Sequence, residues 1–92
     1  MLYPYITLAD DTTVHHSHLI ERNGRKEVEI HFERPAEGWP CFDEARCVLP
    51  TYEWIKRVGH YSDEEIKSFE ALVKRHSHLI YRYASEGGVD IA

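Results

Sequence analysis

The chain has 92 residues, 42% of them apolar and 12% aromatic, with eleven basic against sixteen acidic side chains and a formal charge of −5. That length suits one small domain, and the apolar content argues against disorder. Residues 1–49 carry five Lys/Arg and nine Asp/Glu, an acidity that repels phosphate backbones and speaks against nucleic acid and anionic membrane surfaces as partners.

Cys41 and Cys47 are too few for a disulfide framework, and their spacing matches no tight zinc knuckle. The opening residues carry no basic leader, and no apolar run is long enough to span a bilayer. A reducing, cytoplasmic setting is the expectation.

Residues 3–8 are aromatic and β-branched, as a first strand requires, with Pro4 marking an edge. A turn over residues 9–12 leads to a second strand over residues 13–21. Asn23-Gly24 then signals a tight hairpin. Residues 26–34 alternate with period two, placing Val28, Ile30 and Phe32 on a dry face and Glu27, Glu29, His31 and Glu33 on a wet one. After the loop around Gly38-Trp39-Pro40, residues 42–49 suit a fourth strand.

Pro50 or Thr51 is read as the start of a short helix that aligns Tyr52, Ile55 and Val58 and ends at Gly59. A second start follows at Ser62, whose hydroxyl can accept the amide of Glu65 while the Glu65 carboxylate reaches back. Tyr61 and Ile66 form a hydrophobic staple across it. From there Ile66, Phe69, Val73, His76, Ile80 and Tyr83 recur at helical spacing, and Gly87-Gly88 ends the run. Residues 89–92 could add a short edge strand. The predicted fold is α+β, one domain over residues 1–92. It has an antiparallel sheet of three to four strands (about 3–49) packed by a short helix (about 51–58) and a long C-terminal amphipathic helix (about 63–86).

Seven histidines fall in this small chain, four of them on the second and third strands. A two-residue turn at Asn23-Gly24 pairs residues whose numbers sum to 47 and sets His16 opposite His31. His16, His18 and His31 then share the wet face with Glu29, a donor set suited to zinc. A bulged register, with a sum of 46, puts His15 opposite His31 and turns His16 and His18 inward.

No nucleophile motif or phosphate loop occurs. A helix-turn-helix reading of residues 51–86 would present Asp63, Glu64 and Glu65 to the bases, which repulsion forbids. Trp39 and Phe42, in a Pro-flanked loop, have the character of interface anchors. The sequence therefore predicts a small acidic cytoplasmic protein, a non-catalytic interaction module or homo-oligomer. It needs no cofactor and binds a protein partner or itself through Trp39 and Phe42. The alternative is a zinc-binding protein using His16, His18, His31 and Glu29.

Overall fold

The computed structural model describes residues 2–39 and 41–86. Strands β1 (Leu2–Thr7), β2 (Thr13–Ser17), β3 (Ile20–Arg22), β4 (Arg25–Pro35), β5 (Phe42–Leu49) and β6 (Glu53–Val58) precede helix α1 (Asp63–Ser85). Together they form one six-stranded antiparallel sheet in the order β1-β2-β4-β5-β6, with β3 prolonging β2 along β4. One face carries α1; the other is open. The expectation of three or four strands with two helices is therefore wrong in strand number and in the short helix. The expected edge strand over residues 89–92 lies outside the described residues.

Residues 53–58, taken as helical, are a strand, because the apolar residues at 52, 55 and 58 mimic a helical period by accident. β6 pairs Cys47 with Trp54 and Arg46 with Lys56, so Ile55 is an extra residue in a β-bulge and points to solvent at 47% exposure. The strand carries no apolar alternation on either side of that residue, since Arg57 falls on the parity of Trp54 and Val58 pairs with Glu44. Pro50 sits in the turn between β5 and β6, where the Tyr52 amide donates to the Val48 carbonyl at 2.7 Å. Tyr52 itself takes φ +60 there, a left-handed conformation that opens no helix. Trp54 gains a core contact as a strand residue, with its ring 5.8 Å from that of Phe32.

The Asn23-Gly24 hairpin forms as a two-residue turn, both residues at positive φ, and pairs Arg22 with Arg25. The register then changes. Ile20 pairs with Glu27, but His16 pairs with Ile30, so residues 17–19 of one strand oppose only residues 28–29 of the other. This bulge separates β2 from β3. The buried Ser17 hydroxyl repairs the ladder by accepting the Glu29 amide at 3.0 Å and donating to the His18 carbonyl at 2.8 Å.

Val28, Ile30, Phe32, Ala45, Cys47 and Leu49 form the covered face of the sheet, closed by Phe69, Val73, Ile80 and Ala84 of α1. Phe32 and Phe69 stack at 4.3 Å, and the Tyr61 ring meets Phe69 edge-on at 5.0 Å. Fully burying a side chain such as Phe32 is worth about 1.5–3 kcal/mol, so these contacts fix how the helix lies. Its start is the expected capping box: Glu65 N donates to Ser62 Oγ at 3.1 Å, and Ser62 N to Glu65 Oε1 at 3.0 Å.

Candidate functional site

The bulge decides where each sheet histidine goes. His15 lies opposite His31, while His16 is fully buried on the helix side. His18 is exposed beside the bulge. His31 and Glu29 share the open face, with His31 Nε2 3.2 Å from Glu29 Oε1. Thus, of His16, His18, His31 and Glu29, the structure brings together only the last two. Among the described residues no group of three or more His, Cys, Asp or Glu side chains is placed to hold a metal ion.

Glu29 also receives Arg22 at 3.2 Å. Burial raises the Glu29 carboxyl, but the hydrogen bonds from His31 and Arg22 outweigh it and hold the group below its ordinary range. Burial pushes the His31 imidazole down, and Arg46 adds to this against the opposing pull of Glu29. His31 therefore favours its neutral form, oriented by a carboxylate.

His16 is held differently. Its Nδ1 donates to the Ser17 carbonyl at 2.8 Å, and the rings of Tyr3 and Tyr5 pack at 5.6 and 6.3 Å. Its Nε2 is buried with no hydrogen-bond partner. His76, predicted in the helical stripe, is half-buried and hydrogen-bonded through Nδ1 to the Tyr5 hydroxyl at 2.6 Å, tying α1 to β1.

Trp39 projects from the tip of the β4–β5 hairpin with 91% of its surface exposed. Phe42 is half-buried at the base, paired with Pro35. The loop closes through the Ala36 amide, which donates to the Cys41 carbonyl at 3.0 Å. Gly38 and Cys41 take φ +80 and +72, the left-handed values that reverse the chain over so few residues. The two cysteines are free thiols; Cys47, in the core, is pushed up to about 12 by burial and by the nearby Glu70.

Immediately below this tip lies a charged cluster that sequence patterning did not reveal. Arg34 contacts Asp43 at 2.7 Å, Asp10 at 3.1 Å and Glu65 at 2.5 Å, with its guanidinium 4.3 Å from the centre of the Tyr61 ring. Asp43 is buried and also accepts the His60 amide at 2.7 Å. The cluster ties the β1–β2 turn, the hairpin base, the β6–α1 loop and the helix start together. Burial would raise Asp43, but Arg34 and the His60 amide hold its carboxyl below the ordinary range. Glu65 is lowered chiefly by Arg34, then by the Ser62 amide. The one available signal was Arg34 itself, a cation at the end of a strand on the dry-face parity of Val28, Ile30 and Phe32.

Among the described residues no helix is long and apolar enough to cross a membrane. Compared with protein families, characterised proteins and solved structures, the chain matches none.

Proposed function

We propose that the protein is a small, non-catalytic interaction module of a reducing, cytoplasmic compartment, and that it docks a protein partner at the hairpin tip bearing Trp39. The observation that carries this reading is the 91% exposure of the Trp39 side chain on a hairpin whose base is fixed by the Arg34–Asp43 pair. An exposed tryptophan on a hairpin anchored at its base offers a partner a large apolar contact area. The sheet edges are poorer candidates. β1 carries Pro4 and a register shift, and β6 carries the Ile55 bulge followed by Lys56 and Arg57, features that oppose strand addition.

The test compares wild type with Trp39→Ala, first confirming equal melting temperatures. A partner retained by the wild type from a cell extract, lost by the variant, and bound again when purified supports docking at Trp39. Self-association lost on the same substitution would mean that the partner is a second copy. If both proteins retain the same partner with equal affinity, Trp39 is not the contact.

The placement of His15 opposite His31 favours a second reading, a divalent-metal site. Side chains directly opposite on antiparallel strands stand about 5 Å apart at Cβ. Two imidazoles, one oriented by Glu29, with water completing the shell, would take zinc. Calorimetric zinc titration should then give heat that His15→Ala and His31→Ala each abolish and His18→Ala does not. Equal heats for all three variants would end this reading.

A further inference from the structure

The end of the molecule that carries Trp39 is far more acidic than the rest. In a meander of this order the β1–β2 turn, the β4–β5 hairpin, the β6–α1 loop and the first helical turn all lie at one end of the sheet. Residues 8–12, 33–43 and 57–65, which make up that end, hold eight carboxylates against two arginines, a net of −6. The whole chain carries −5, so everything else carries +1. Both arginines are already engaged, Arg34 by Asp10, Asp43 and Glu65, and Arg57 by Asp63. Among the described residues Asp11, Glu33, Glu37 and Glu64 make no ion pair, and all four are exposed. Glu37 stands two residues from Trp39 in the same loop.

Exposed like charges concentrated on one end create a field that reaches about a Debye length, roughly 8 Å at physiological salt. Such a field draws cations and repels nucleic acid and anionic lipid. The indole face adds a second preference of the same sign, because the ring quadrupole attracts guanidinium and ammonium groups, and tryptophan does so best. Charge complementarity and the aromatic platform thus select one kind of occupant. We propose that the partner docked at Trp39 is a polypeptide segment rich in arginine and lysine, with a cationic side chain laid over the indole and its neighbours facing Glu37, Glu33 and Asp11. This rests on the reading of Trp39 as the contact residue and names the chemistry of what it contacts.

The experiment uses the full chain and three synthetic peptides of equal length, alternating glycine with arginine, with glutamate or with serine. The readouts are the indole Nε1–H resonance of Trp39, assigned by its loss in Trp39→Ala, and calorimetric affinity. The arginine peptide should shift that resonance saturably, and its affinity should fall about tenfold or more between about 50 and 300 mM salt. Trp39→Ala should weaken it about tenfold and Trp39→Phe less, since phenylalanine keeps an aromatic face. The double variant Asp11→Asn/Glu37→Gln should weaken it several-fold, whereas Glu53→Gln, the same neutralisation at the opposite end, should not. Equal shifts from the serine or glutamate peptide overturn the proposal, as does an affinity indifferent to salt and to the Asp11/Glu37 double variant. Either result leaves the Trp39-dependent capture of a protein partner standing, so the two failures are separable.

Discussion

Arg34 holds Asp43 by a 2.7 Å contact from Nε to Oδ2, and Asp43 in turn holds the loop that launches the helix through the His60 amide. A guanidinium near the end of β4 therefore positions a helix that starts almost thirty residues later. The side chain of Asp43 is 3% exposed and that of Arg34 20%, so the carboxylate depends on the arginine, its shortest ionic contact, for charge compensation, with the His60 ring a further 3.4 Å neighbour.

Replacing Arg34 with Met should cost roughly 3 kcal/mol, because removal of one partner leaves a buried charge uncompensated. A urea melt measures it. A loss below about 1 kcal/mol would mean that water enters and solvates Asp43.

Acid should unlock the same cluster. Asp43 and Glu65 are both held below their ordinary values in the folded protein, so the unfolded chain binds protons more readily than the folded one. Their contribution is complete above the unfolded carboxylate range and is lost as pH falls below about 4. Stability measured against pH should show this slope in the wild type and a flatter one in Arg34→Met. Parallel slopes would assign the acid sensitivity to other carboxylates.

At the helix start, Ser62→Ala should cost about 0.5–2 kcal/mol through the loss of the Glu65 amide's acceptor. Glu65→Ala should cost more, because Glu65 receives both the Ser62 amide and Arg34. Denaturant melts of the two variants would show the order, and the reverse order would make the Arg34 contact energetically idle.

Gly59 adopts φ +94, and a Cβ there would lie 2.2 Å from Asp43 Oδ1 and 2.9 Å from the Asp43 Cα. Gly59→Ala should therefore destabilise by on the order of 1–3 kcal/mol, while Gly24→Ala, with open space around it, meets only the backbone cost. Thermal melts giving equal losses would show that the loop yields without disturbing Asp43. This glycine ends no helix, as its sequence context suggested. It permits close approach of the β6–α1 loop to β5.

Local signals were legible and tertiary ones were not. The Asn23-Gly24 turn, the alternation along β4 and the Ser62 box depend on residues within a few positions of one another, and each forms as read. The sixth strand escaped because its apolar residues do not alternate: Tyr52, Ile55 and Val58 share a helical spacing, yet Ile55 is an exposed bulge residue and Val58 pairs with Glu44, on the parity opposite to Trp54. The Arg34 cluster escaped because its carboxylates, Asp10, Asp43 and Glu65, come from turn, strand and helix and share no spacing. The register at the histidines was readable in principle. Val14 and Leu19 are five apart, an odd number, so a regular strand cannot turn both toward the core. Val14 is buried and Leu19 packs against the core, which the bulge at residues 17–19 makes compatible.

That bulge, rather than ring chemistry, determines which imidazole meets solvent. Were the same residues to pair without it, the hairpin's own register would run on: His16 would stand opposite His31 on the open face, His15 would turn in, and Val14 would leave the core with His16. Deleting one residue from 17–19 would have no such effect, since the ladder would close with His16 still opposite Ile30. The histidine face is thus chosen by a one-residue slip at constant chain length, and the apolar surface of Val14 is what opposes it.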